Sequence, residues 1–235
     1  MNKIKTTMKL LLTNDDGIDA EGLQALANAA RELGEVWLLA PAEQQSGCSH
    51  VVSTHRGVRV EPRGERRFAI HGSPADCVRM GLNGVLSDAA WVLSGINHGG
   101  NLGADVYYSG TVAAVREGVL HGWPGIALSH YREKSREFDW ARAARLALPV
   151  LKKILSEPPE RGTFWNVNLP HLLDGTPDPE IVWCPLDPTP LPLSYRHEEG
   201  EHFYNGDYFS RTRSPGADVD VCFGGRIAVT KMRIL

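Results

Sequence analysis

The sequence predicts an α/β protein with a Rossmann-like, doubly wound, mainly parallel sheet, and three observations carry that expectation. Apolar runs of strand length alternate with stretches of helical periodicity from about residue 8 to residue 170. Where they are clearest, as in "MKLLLT", the runs are continuously apolar, as a strand buried on both faces requires. Polar residues stand just past their ends: Asp15 and Asp16 after the first, Ser46 after the second, Asn97 after a later one. In open α/β sheets the crevice beyond the carboxyl ends of the strands is where ligands bind.

Taken in order, "MKLLLT" (8–13) reads as a buried strand. "DAEGLQALANAAREL" follows, with Leu23, Leu26, Ala27, Ala30 and Leu33 at helical spacing, and Gly34 punctuates before a second strand over 35–40. "SPADCVRMGLNGVL" opens as a capped helix, with Ser73 as N-cap, Pro74 at the first helical position and Asp76 completing a capping box. A strand over 89–95, a helix over 110–122, a strand over 125–129, a long amphipathic helix over 138–155 and a strand over 163–170 continue the alternation.

After Pro170 the composition changes. Prolines make helix or central strand unfavourable over the next two dozen residues, and the aromatic stretch around Asn205-Gly206 carries a hairpin signal. The expectation is one domain over 1–235, with a core of about 8–170 plus 216–235 and a projecting arm at about 171–215 that makes subunit contacts. "GGRIAVTKMRIL" returns to strand composition.

A chain of 235 residues can bury one substantial core, and a net charge of −3 argues against a nucleic-acid polymer as partner. Cys48, Cys77, Cys184 and Cys222 are scattered without a CxxC pair, the pattern of reduced thiols. The apolar run near the N-terminus is too short for a secretory signal, and no stretch is long enough to span a bilayer. A cytoplasmic protein without membrane partners is expected, with residues 1–7 as a frayed extension.

The chemistry begins at "TNDDG". One aspartate there would ordinarily cap a helix, but two adjacent carboxylates at a partly buried strand end repel unless a cation lies between them. Oxygen donors suit a hard ion, Mg²⁺ or Mn²⁺. The loop "APAEQQSGCSHVVS" is long for such a sheet and rich in hydroxyls and amides, although Ser46 taken alone reads as a turn and His50 as a satisfied histidine. In "LSGINHGGNLGADVYYSGTVAAVREG", Asn97 and Asn101 lie in a glycine-rich loop and Ser109-Gly110-Thr111 opens a helix. Unpaired N–H groups and the helix dipole favour an anion there. Neither the Walker A nor the dinucleotide fingerprint is present. Asp105 reads as a tie to loop N–H groups.

Together "LLTNDDGIDAEGL", "APAEQQSG", "HGSPADCV", "LSGINHGGNLGADVYYSGTVAA" and "NVNLP", in this order over about residues 8–170, resemble the SurE (survival protein E) nucleotidase family. The resemblance implies a phosphomonoesterase on nucleoside 5′- and 3′-monophosphates, with polyphosphate hydrolysis as a further expectation, in a homodimer or homotetramer. It implies one divalent cation per subunit on Asp15, Asp16, Ser46 and Asn97, and a phosphate faced by Asn14, Asn101, Ser109, Gly110 and Thr111. Asp15 or Asp16 is then the expected base and His50 a candidate acid. The sequence departs from the family at "SDAAW", where many relatives carry Pro-Asp, and through the loosely matching arm. A nucleotide-sugar transferase and a non-catalytic nucleotide-binding protein are the alternatives. An aspartyl-phosphate phosphatase is disfavoured because Gly17 stands where D-x-D needs its second acid.

Overall fold

The computed structural model describes residues 7–133 and 136–234, so nearly all of the expected N-terminal extension lies outside the described residues. In chain order the elements are β1 (Lys9–Thr13), α1 (Glu21–Ala30), β2 (Glu35–Pro41), β3 (Val60–Pro62), β4 (Arg67–Ile70) and α2 (Pro74–Met80). Then come β5 (Trp91–His98), α3 (Gly110–Leu120), β6 (Gly125–His130), α4 (Trp140–Leu155), β7 (Thr163–Leu169) and β8 (Ile181–Trp183). The chain closes with β9 (Tyr195–Glu198), β10 (Glu201–Tyr204), α5 (Asp218–Phe223) and β11 (Ile227–Arg233).

Nine strands form one sheet in the order β3-β4-β2-β1-β5-β6-β7-β11-β8. The strands β4, β2, β1, β5, β6 and β7 run parallel, while β3 and β11 enter antiparallel to β4 and β7. Alternation along β1 explains the double winding. Leu10 and Leu12 join one buried cluster with Leu23 and Leu26 of α1 and Leu146 and Leu151 of α4. Leu11 joins another with Val78 of α2 and Ala114 of α3. Both faces of β1 are therefore buried.

The β5 strand runs on past the expected end at Gly95 to His98, with an irregularity between Ser94 and Asn97 in its pairing to β6. Gly95 has φ +134°, a Cβ there would lie 2.1 Å from the Leu128 carbonyl oxygen, and the Gly95–Ile96 peptide is cis. Such a bulge re-aims the residues that follow it, here Asn97. Gly95→Ala is expected to cost on the order of 3 kcal/mol, from close contact and a left-handed φ together, read as a lowered midpoint in denaturant unfolding.

The capping box of α2 is present: Ser73 Oγ accepts from Asp76 N at 3.1 Å and Asp76 Oδ2 from Ser73 N at 2.9 Å. Two expectations need correction. The hairpin turns at Glu199-Gly200, with φ +49° and +85°, and not at Asn205-Gly206. Paired positive φ values make the turn that matches strand twist, and Asn205 merely closes the open end by donating to the Ser194 carbonyl at 3.0 Å. The arm is also shorter than 171–215. β8 lies on the sheet edge beside β11, Asp218 N donates to the Pro185 carbonyl at 3.0 Å, and Arg211 is buried beneath Asp105 and Tyr208. The β9–β10 hairpin stands out with every side chain exposed. A short helix, α5, not anticipated from the sequence, precedes the last strand.

Candidate active site

Neighbouring parallel strands bring the key residues together. Thr13 of β1 is paired with Ser94 of β5, so the chain leaving β1 through Asp15 and Asp16 runs beside the end of β5. Asn14 pins the turn: its Nδ2 donates to the Gly17 carbonyl at 2.9 Å and its Oδ1 accepts from Gly17 N at 3.1 Å. Asn14 is fully buried and thus holds the acid pair in place and does not present itself to a ligand.

Asp15 is 5 % exposed and sits against the start of α3. Thr111 Oγ1 donates to Asp15 Oδ1 at 2.5 Å. At Gly110 a Cβ would lie 3.0 Å from both Cβ and Oδ2 of Asp15, so only glycine lets the helix start this close. Burial pushes the Asp15 carboxyl up to about 6, Thr111 opposes the rise, and the charge of Asp16 adds to it. Asp16 Oδ2 accepts from the backbone N–H of His98 at 3.2 Å, and the His98 ring Nδ1 lies 3.3 Å from Oδ1. That contact draws the His98 pKa upward.

Asn97 stands beside the pair, its Nδ2 donating to the Gly99 carbonyl at 2.9 Å, which leaves Oδ1 for another partner. The loop after β2 is tied in by Gln45 N, which donates to the Asp15 carbonyl at 2.7 Å. Ser46 itself is exposed, its Oγ accepting from Gln44 Nε2 at 2.7 Å. Ser109 caps α3 by accepting from Val112 N at 3.0 Å. Asn101 is buried in an amide network: Nδ2 donates to Ser129 Oγ at 2.7 Å, and its carbonyl accepts from Asn166 and Asn168. Asp105 accepts from Leu102 N at 3.1 Å, the loop tie its position suggests.

His50 is placed elsewhere. Its Nε2 lies 2.7 Å from Glu117 Oε2, and Arg116 Nε donates to its Nδ1 at 3.0 Å, so both ring nitrogens are committed. Glu117 stands six residues beyond Thr111 along α3, about 9 Å by helix rise. To act as an acid His50 would have to leave this pair. Glu117, 2 % exposed, is a hub that also receives Arg79 Nε at 2.5 Å and His121 Nε2 at 2.9 Å. Burial acts to raise its pKa, but His50, Arg79 and His121 together outweigh burial and hold it at about 2. The stabilisation from this depressed pKa is present above about pH 4.5 and lost as pH falls toward 2. Glu117→Gln is therefore expected to lower stability at pH 7 by roughly 3 kcal/mol and to flatten the acid limb of a stability–pH curve.

Sequence reasoning passed over Glu117 and His98. A glutamate on a helix packed under the sheet needs a cationic or hydrogen-bonding partner, and that signal was available for Glu117. His98 directly follows Asn97 in the same glycine-rich stretch.

Could these residues hold a cation? Among the described residues no cluster of three or more His, Cys, Asp and Glu converges, so any such site rests on two carboxylates and neutral oxygens. That donor set fits a hard divalent ion, because Asp15 has no basic partner among the described residues and is adjacent to a second acid.

Fold and site together define a Rossmann-like α/β protein with an acid pair at the carboxyl-end crevice of its sheet, facing a helix N-terminus. The family model "Survival protein SurE" matches residues 10–187. The chain belongs to the SurE family. It is 50 % identical over 227 residues to a protein of Nostoc sp., provisionally named a 5′-nucleotidase, covering 97 % of this chain and all of the relative. It is 37 % identical over 234 residues to "5′-nucleotidase SurE" of Paramagnetospirillum magneticum, covering 97 % and 90 % of the two chains. Among solved structures, the SurE protein of Aquifex aeolicus aligns with TM-score 0.84 and 29 % identity, over 96 % of this chain and 93 % of that one. No helix among the described residues is long and apolar enough to cross a membrane.

Proposed function

We propose that the chain is a divalent-cation-dependent phosphohydrolase that releases phosphate from nucleoside 5′-monophosphates, and from 3′-monophosphates and polyphosphate as further substrates. The observation that carries this reading is the buried Asp15, adjacent to Asp16, without a basic partner among the described residues and held against the start of α3 in the sheet's crevice. The names of relatives from Nostoc and Paramagnetospirillum support the substrate class.

Asp15, Asp16 and Asn97 would hold the ion, Mg²⁺ or Mn²⁺, with the Ser46 hydroxyl as a further oxygen ligand. When bound, such an ion supplies a Lewis acid and an acidified water at neutral pH. The chain's own contribution is positioning and charge. Thr111 fixes the Asp15 carboxylate, and the carboxylate oxygens can take a proton from an attacking water. The start of α3 presents its Gly110 N–H and positive dipole end to a phosphate oxygen, stabilising charge that builds in the transition state. Asn14 and Asn101 keep the two loops in register, from within the fold.

Phosphate release from a panel of nucleoside 5′- and 3′-monophosphates, a sugar phosphate and polyphosphate, assayed with Mg²⁺ or Mn²⁺, tests the reading. The expected result is hydrolysis of 5′-monophosphates at a kcat/KM of at least about 10⁴ M⁻¹s⁻¹. No turnover of any nucleotide overturns it.

A further inference from the structure

We propose that His197 and His202, opposed across the β9–β10 hairpin, form a two-histidine site for a nitrogen-preferring transition-metal ion, Zn²⁺, Cu²⁺ or Ni²⁺, which clips the hairpin closed. The site is separate from the acid pair and independent of the nucleotidase reading. His197 of β9 and His202 of β10 are direct partners in the antiparallel register. Their ring centroids lie 4.1 Å apart, with an interplanar angle of 77°. Both side chains are exposed, and beyond that mutual contact neither ring has a hydrogen-bond or ion-pair partner among the described residues. Their nitrogens are therefore available to a ligand.

The backbone explains how close the rings stand. At the open end Asn205 N donates to the Ser194 carbonyl at 3.0 Å, and bonded and unbonded pairs alternate along an antiparallel ladder. From that bonded pair, Arg196 and Phe203 fall at a bonded position and His197 and His202 at an unbonded one. Unbonded pairs bring their Cα atoms to about 4.5 Å and their side chains closest together. The two-residue turn at Glu199-Gly200 fixes this register. Alternation puts Tyr195 and Tyr204 on the histidine face, where their rings meet edge to face at 5.6 Å.

Imidazoles this close can each offer one nitrogen to a common ion, at the Zn–N distance of about 2 Å. Imidazole suits Zn²⁺, Cu²⁺ and Ni²⁺, whereas Mg²⁺ and Mn²⁺ prefer oxygen, so hairpin and acid pair select different ions. Among the described residues no third His, Cys, Asp or Glu converges on the pair, so water fills the remaining positions. Local charge favours a cation: Glu198, Glu199 and Glu201 surround the turn, and Arg196 is the one basic residue between 193 and 206. Arg196 pairs with Glu198, which leaves Glu199 and Glu201 without a basic partner among the described residues. The hairpin is a two-stranded sheet apart from the main one, and such a ribbon is marginally stable alone. An ion held by one residue of each strand stabilises the closed form by mass action.

The test titrates Ni²⁺, with Mg²⁺ in excess, into wild type, His197→Ala, His202→Ala and Asp15→Asn by calorimetry, and follows Cu²⁺ by electron paramagnetic resonance. Wild type and Asp15→Asn are expected to bind one Ni²⁺ per chain with the same Kd, and either histidine variant to bind about 100-fold more weakly, the gain of a two-point attachment being lost. Nitrogen hyperfine structure on bound Cu²⁺ is expected in wild type and lost in both histidine variants. Zn²⁺ is expected to slow tryptic cleavage after Arg196 in wild type and to have no effect in the histidine variants. An affinity unchanged in either histidine variant, binding lost in Asp15→Asn, or no binding by wild type overturns the site. Cleavage after Arg196 that ignores the ion in wild type overturns the clip.

Discussion

Asp15→Asn is expected to lower phosphate release at least about 1,000-fold while leaving the fold intact. The substitution keeps the size of the side chain, and its Oδ1 can still accept from Thr111 Oγ1, which donates to Asp15 at 2.5 Å. What it removes is the charge. Asp15 is 5 % exposed, and burial raises its pKa to about 6, so before any ion binds the carboxylate is a burden on the folded state. The group holds its proton more tightly folded than unfolded, so its contribution turns unfavourable as pH rises from about 4 toward 6 and stays so above. In chelator at pH 8 the variant should therefore be more stable than wild type, by on the order of 2 kcal/mol. Initial rates on a nucleoside 5′-monophosphate, with thermal unfolding of the same samples, check both halves. Activity within a few fold of wild type would remove Asp15 from the chemistry, and a lost fold would make the rate uninformative.

That pairing of lost rate and gained stability also shows why the acid pair was legible in the sequence. Two aspartates where a continuous apolar run ends conflict with burial unless a charge answers them, and such a conflict survives in a sequence only where something uses it. β1, α1, β2 and α3 were legible for the complementary reason: their periodicity is unbroken, and each buries what its pattern says it should. The β3 and β4 strands were not. They are three and four residues long, carry Glu61, Pro62 and Arg67, and owe their strand form to the neighbour that β2 provides. The hairpin turn was misplaced because Asn205-Gly206 and Glu199-Gly200 are both turn chemistries, and local signals cannot tell which one the flanking aromatics pair across. Arg211 and Asp105 meet across more than a hundred residues, so nothing local marks residues 208–215 as part of the core. His50 shows the limit in the site itself: its neighbourhood in the sequence is the loop of Ser46, whereas its partner in space is Glu117 on α3.

Chelation is expected to take phosphate release to background, and adding Mg²⁺ or Mn²⁺ back to restore it. The reason is again the electrostatics of two adjacent carboxylates, one buried and bonded to a neutral hydroxyl, the other bonded to a backbone N–H and a histidine. A divalent ion that binds only the folded form stabilises it by mass action, about 2.7 kcal/mol at a hundredfold excess over its Kd. Wild type should thus melt higher when Mg²⁺ or Mn²⁺ is added and lower when EDTA is present, whereas Asp15→Asn should lose most of that response. The comparison isolates the site, because an ion acting on surface carboxylates would shift both proteins equally. Ca²⁺ offers a further contrast: it fits oxygen ligands yet prefers more of them at longer distances, so it should raise the melting temperature more readily than it restores turnover. Full turnover after rigorous chelation would reject cation dependence and return Asp15 and Asp16 to a direct acid–base role.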